Sequence, residues 1–180
     1  DLDLGEDQLL CEGETYDIEI SVGGFDIEWS KDNVVIPGET GSTLNVTETG
    51  DYHVVVSSAA SNCAISDTIR VEFNASPVID LGEDQLLCEG ADFVIVAGSA
   101  DNDYMWTLDG NDLSNNLNSY TATEGGQFIV ISTNVFDCSA SDTLNVAFNP
   151  RPAIELGMDQ ELCQGDDYVI VATTNGFDIE

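Results

Sequence analysis

The sequence predicts an all-β chain of tandem antiparallel β-sandwich modules laid end to end as a rod. Three observations carry that expectation: a long internal repeat, alternation of apolar and polar residues inside each copy, and short proline-bearing joints. LGEDQLLCEG occupies Leu4 to Gly13, returns unchanged from Leu81 to Gly90, and recurs as LGMDQELCQG from Leu156 to Gly165, at spacings of 77 and then 75 residues. SNCAISDT around Cys63 matches FDCSASDT around Cys138, and TETGDYHVVVS matches TEGGQFIVIS. A period this long is one small domain rather than one solenoid turn. It divides the chain into residues 1–76, 77–151 and the N-terminal part of a third copy, 152–180. NGFDIE at 175–180 matches GGFDIE at Gly23 to Glu28, so the third copy stops one residue short of the position of Trp29 and reads as cut from something longer.

Within a copy the elements follow in order. Tyr16, Ile18, Ile20 and Val22 alternate with Asp17, Glu19 and Ser21, which predicts a strand with one face in a core and one in water. Phe25, Ile27 and Trp29 are expected inward, with Asp26, Glu28 and Ser30 outward. Tyr52, Val54 and Val56 form a third such run, and Ile69, Val71 and Phe73 a fourth. No comparable stretch has a 3.6-residue period, so the expectation is about seven short strands per module and no long helix. The joints FNASPVIDLG and FNPRPAIELG hold Pro77, Pro150 and Pro152, whose fixed φ favours an extended, stiff connection.

Composition narrows the function. There are 35 acidic residues against 3 Lys and Arg, a formal charge of −32, yet 42% of positions are hydrophobic, too many for an acidic disordered tail. Such a charge repels phosphate and anionic lipid, so nucleic-acid partners and peripheral attachment to anionic membranes are not expected, and no apolar run approaches the ~20 residues that direct membrane insertion needs.

Five cysteines fall as Cys11 and Cys63, Cys88 and Cys138, and Cys163. This arithmetic predicts disulfides Cys11–Cys63 and Cys88–Cys138, each inside one module, with the partner of Cys163 beyond residue 180. Closing a loop of roughly 50 residues would stabilise a module by about 4 kcal/mol. Buried free thiols are the competing reading; zinc is disfavoured because there is no CxxC and His53 is the one histidine. Disulfides would place the protein outside a reducing cytosol. Trp29 and Trp106 each lie 18 residues after a cysteine, an order similar to immunoglobulin domains, although Cys63 follows Tyr52 by 11 positions rather than 2. The modules are therefore expected to be Ig-like, with any bridge near one edge or end of the sandwich rather than through its centre, and both tryptophans in the core.

The frame LGxDxxLCxG, a later Trp, GxYxVxVS, a Cys, and SDTxxVxF before a Pro resembles the tandem Ig-like repeats of giant Bacteroidetes surface adhesins, including the gliding-motility adhesin class exported by type IX secretion. The departures are Phe128 for the Tyr, and Met158 and Gln164 for acids in the third copy. The resemblance implies a disulfide-stapled structural or adhesive spacer of an extracellular filament, whose partners are neighbouring repeats of the same chain and a surface polysaccharide or other adhesion target. It also implies O-glycosylation at Thr68 and Thr143, because Asp67-Thr68-Ile69 and Asp142-Thr143-Leu144 fit that phylum's Asp-Ser/Thr-aliphatic pattern. Alternation turns both threonines to water. The bland reading is that Asp-Thr merely opens the last strand.

Acids at the joints raise calcium as a cofactor. Asp3, Asp80 and Glu155 share one phase and Asp7, Asp84 and Asp159 another, while Glu6, Glu83, Glu12 and Glu89 have non-acidic counterparts in the third copy. A solvated acidic surface that keeps the rod soluble is the alternative, with no cofactor at all. Catalysis is not expected: His53 is not repeated, Ile129 standing at its place in the next copy with Gln127 rather than His before Phe128, and there is neither a phosphate loop nor a nucleophile elbow. Two further readings of the repeats stand beside the spacer. One is a carbohydrate- or polymer-binding module gaining by avidity; the other is a self-assembling fibre, since Val55, Ile129 and Ile131 make the penultimate strand apolar on both faces.

Overall fold

The computed structural model of the chain describes residues 2–60 and 63–174; the NGFDIE match at 175–180 lies outside the described residues. The first module forms β1 (Gln8–Cys11), β2 (Tyr16–Glu19), β3 (Asp26–Lys31), β4 (Val34–Val35), β5 (Thr43–Val46), β6 (Gly50–Ser57) and β7 (Ala64–Asn74). The second repeats them as β8 (Gln85–Cys88), β9 (Phe93–Val96), β10 (Asp103–Leu108), β11 (Asn111–Asp112), β12 (Ser119–Ala122), β13 (Gly126–Thr133) and β14 (Ser139–Asn149). One sheet of each module is five-stranded, ordered β1-β7-β6-β3-β4 and β11-β10-β13-β14-β8; the other is the pair β2-β5 or β9-β12. The chain is all-β, two sheets to a module, as the alternation predicts.

The alternation also explains the cores. Ile18, Leu44 and Val46 of the small sheet meet Trp29, Tyr52, Val54, Ile69 and Val71 of the large one, and the second module repeats this with Ile95, Ala122, Trp106, Phe128, Val130, Leu144 and Val146. Both tryptophans are fully buried, and each indole N–H donates to a loop carbonyl, Trp29 to Gly41 at 2.9 Å and Trp106 to Leu117 at 2.8 Å. That removes the cost of burying an unpaired donor. Tyr52 donates its hydroxyl to the Glu48 carbonyl at 2.7 Å, tying the start of β6 to the corner before it. Phe128 fills the same place apolarly, packed on Tyr120. The β3–β4 hairpin turns on Asp32 and Asn33, φ 51° and 66°, and its counterpart on Asp109 and Gly110, φ 49° and 80°. Two consecutive left-handed residues match the strand twist, so Asp, Asn and Gly belong there.

Two expectations need correction. The sandwich is not wholly antiparallel: β1 pairs parallel with β7, Gln8 opposite Val71 through Cys11 opposite Asn74, and β8 pairs likewise with β14, Gln85 opposite Val146 through Cys88 opposite Asn149. Phe25, expected in the core, is 51% exposed, because the strand begins only at Asp26 and Phe25 remains in the loop at one end of the module.

Of the third copy, β15 (Ile154–Glu155) pairs antiparallel with β16 (Thr173–Thr174). Leu156 is exposed where its counterparts Leu4 and Leu81 are buried.

Candidate functional site

Two acidic positions of the repeat act on the backbone in both modules. Asp3 Oδ1 accepts from Gly5 N at 2.8 Å and Asp80 Oδ1 from Gly82 N at 2.9 Å, closing a local turn. Asp7 Oδ1 accepts from Arg70 N and Asp84 Oδ1 from Asn145 N, both at 2.9 Å, which starts the parallel pairing of β1 on β7 and β8 on β14. From the other side Asp67 Oδ2 accepts from Leu4 N at 2.7 Å and Asp142 Oδ2 from Leu81 N at 2.8 Å. The Asp of LGxDxx and the Asp of SDT thus clamp the entering chain to the last strand in both modules. Hydrogen bonds from Leu4 and Thr68 amides hold the Asp67 carboxyl below its ordinary pKa. Of the acids raised for calcium, Glu155 pairs in β15 opposite Thr173 and Asp159 is exposed. Among the described residues no group of three or more His, Cys, Asp or Glu is placed to hold a metal ion.

Thr68 and Thr143 are exposed at equivalent positions of β7 and β14, opposite His53 and Ile129, while Ile69 and Leu144 beside them are buried. Lys31 Nζ lies 2.6 Å from Glu48 Oε2 on the surface. Hydrogen bonding within that pair is the main cause that raises the Lys31 pKa and lowers that of Glu48.

The joint between the two modules is where the geometry departs most from expectation. Cys11 is bonded to Cys138, across 127 residues and between modules, with Cα atoms 5.5 Å apart. The expected Cys11–Cys63 and Cys88–Cys138 pairs are not made. Strand length forbids them. Cys11 sits opposite Asn74 at the last residue of β7, whereas Cys63 precedes its first residue. Eleven strand steps at about 3.3 Å each separate the two by roughly 36 Å, against the about 4.4–6.8 Å between Cα atoms that a disulfide spans. Cys88, opposite Asn149, and Cys138, just before β14, are held apart in the same way. Parallel pairing therefore sends the two cysteines of a module to opposite ends, and in a tandem array the opposite ends of neighbours meet.

Around that bridge Cys138 is fully buried, its Sγ 3.6 Å from the Asn74 carbonyl oxygen and 3.9 Å from that of Leu10. Asn134 shapes the hairpin that presents it: Oδ1 accepts from Phe136 N at 3.0 Å and Cys138 N at 3.1 Å, while Nδ2 donates across the joint to the Ala75 carbonyl at 2.8 Å. On the module-1 side Glu12 N donates to Asn74 O at 2.9 Å, fixing the turn after β1 that carries Cys11. Cys88 and Cys163 are exposed free thiols, and Cys63 is exposed. A hollow of about 200 Å³ opens beside Cys63, lined by Val22, Phe25, Val56 and Ile65.

No protein-family model matches the chain, and no curated protein matches it. Solved structures do. The insect immune protein hemolin is similar over 81% of this chain and 46% of its own, at 14% identity and a TM-score of 0.53. Extracellular domains 3–5 of Drosophila OTK are similar over 83% of this chain and 62% of theirs, at 13% identity and a TM-score of 0.55. The chain thus spans less than two thirds of either relative. At these identities the likeness shows the fold, and that fold is a tandem of immunoglobulin-like β-sandwich modules.

Proposed function

We propose that the chain is a spacer segment of a long extracellular adhesin or filament, in which Ig-like modules are locked to one another by disulfides and hold an adhesive part away from the surface that anchors it. The observation that carries this reading is the Cys11–Cys138 bridge: it fixes the placement of one module against the next and leaves neither module's core cross-linked internally. The resemblance of the repeat frame to Bacteroidetes gliding-motility and related type IX-exported adhesins supports the same reading, as does a surface charge of −32 that keeps a crowded rod from aggregating. Thr68 and Thr143 are the O-glycan positions, facing water at matching places on each module. The reading assigns the repeats no catalysis and no resident metal.

A carbohydrate-binding module fits less well. Such a module would repeat an exposed aromatic, yet the exposed Phe25 and Phe136 sit in different loops and match Asn102 and Ser61 in the sequence of the other copy. Small-angle scattering tests the spacer. The oxidised chain is expected to give an elongated particle whose radius of gyration clearly exceeds the about 15 Å of a compact 150-residue domain. Reduction should broaden its distance distribution. A compact particle in both states would refute the reading.

A further inference from the structure

We propose that this repeat is cross-linked in register along its whole length: the cysteine in the turn after the first strand of each copy bonds to the hairpin cysteine of the copy that follows. Cys88 is then the half-site that takes the third copy's hairpin cysteine, just as Cys11 takes Cys138. The inference deepens the spacer reading and rests on it only for its mechanical consequence.

Three comparisons between equivalent positions carry it. The turns holding Cys11 and Cys88 are the same structure: each cysteine lies opposite the final Asn of the parallel strand, and Glu12 N and Glu89 N donate to Asn74 O and Asn149 O at 2.9 and 2.7 Å. The two sites differ in cover and in neighbouring side chains, Glu14 accepting from Cys11 N at 2.7 Å where Ala91 stands after Cys88. Asn74, behind the formed bridge, is buried, whereas Asn149 and the Cys88 thiol are exposed. Finally, the end at which module 2 receives module 1 is, in module 1, an apolar hollow at Cys63 with Phe25 and Ile65 half exposed. That is where the turn after the first strand of a preceding copy would seat. Even the connection is prepared at the second joint, where Arg151 Nε donates to Glu89 O at 2.5 Å and the guanidinium packs on Gly90.

The chemistry is an ordinary oxidation. The Cys88 thiol and the incoming thiol each lose a proton, one S–S bond forms, and two electrons pass to a disulfide oxidant such as oxidised glutathione, which leaves as two thiols.

The composition makes the map readable. Trypsin at Lys31 and Arg70 and cyanogen bromide at Met105 and Met158 place Cys11, Cys63, Cys88, Cys138 and Cys163 on five separate fragments. The full-length chain, oxidised, treated with iodoacetamide without reduction and then digested, should yield fragment 1–31 linked to 106–158. Fragment 71–105 should be linked to a fragment carrying the following copy's hairpin cysteine. Recovery of 71–105 alkylated at Cys88, or linked to 106–158, would overturn the proposal, as would 1–31 linked to 32–70. Scattering on the same sample separates this from the spacer reading: an elongated particle with alkylated Cys88 sinks the staple and leaves the spacer standing, and a compact particle with the expected links does the reverse.

Discussion

Replacing Cys138 by Ser should destabilise the module that does not contain it. With module 2 folded, the Cys11–Cys138 bridge ties one end of an unfolded module 1 to a fixed point, and with module 1 folded it does the same to module 2. The chain between Asn74, which abuts the bridge, and Cys138 is 64 residues. Restricting a loop of that size removes enough entropy from the unfolded state to be worth about 4 kcal/mol at 25 °C, and the full 127-residue loop of joint unfolding about 5 kcal/mol. Bridges inside each module would have been worth nearly as much, so magnitude alone does not separate the two patterns. Location does. In a Trp106→Phe background Trp29, fully buried in module 1, is the sole tryptophan and reports that module alone. At a urea dependence of roughly 1–1.5 kcal/mol per molar, Cys138→Ser should lower the Trp29 midpoint by about 3 M. Cys88→Ser in the same 180-residue chain should leave it in place. A Trp29 transition unmoved by Cys138→Ser, or moved equally by Cys88→Ser, would refute a bridge between modules.

Other consequences follow from the same contacts. Asp67→Ala strips the Leu4 amide of its acceptor, and Asp142→Ala that of Leu81; each should cost about 1–2 kcal/mol in urea unfolding, the lower end because the carboxylates are partly wet. The Asp67 and Glu48 carboxyls are held below their ordinary values, so their contribution is complete above about pH 4, the unfolded range, and is lost as pH falls through the lower folded values. Urea midpoints taken from pH 5 to pH 2 should fall accordingly, and less so in Asp67→Ala. Excess EDTA is expected to leave the melting midpoint unchanged, whereas raising sodium chloride from about 0.02 to 0.2 M should raise it by screening a net charge of −32. Trp29→Ala, opening a cavity at the centre of module 1, should cost about 3–5 kcal/mol.

What alternation encodes was readable. Ile27 and Trp29 in β3, Tyr52, Val54 and Val56 in β6, and Ile69 and Val71 in β7 point inward because a pleated strand over a core admits no other assignment of those residues. Phe25 broke the pattern because periodicity continues through a loop as easily as through a strand, and only the backbone says where pairing starts. The site was harder for a different reason. Asp7 and Asp67 are one acid among many in the sequence; only when β1 lies parallel on β7 do they become acceptors for Arg70 and Leu4 amides. Cysteine pairing by module is an argument about sequence distance, and sequence distance says nothing of the rigid strand between two thiols. One signal was present: the run from Ala64, next to Cys63, to Asn74 is eleven residues of nearly unbroken strand character, ending at the joint.

That length has a mechanical meaning. In the proposed spacer, tension along the array would enter a module at one end and leave at the other, and β7 spans both, from the residue after Cys63 to the residue opposite Cys11. A bridge within a module, had one been possible, would shield its own strands and leave the three or four residues around Pro77 to take the load. The bridge at Cys11 and Cys138 bypasses that connection instead, passing force from the turn after β1 directly into the hairpin before β14. The Asp67 and Asp7 clamps hold the turn's strand to β7, so load reaching Cys11 is shared with the longest strand of the sheet through a row of parallel hydrogen bonds sheared together, rather than opened one at a time. Reduction should therefore first loosen the joint and leave both sandwiches folded, which is the order of failure expected of a spacer rather than of a receptor.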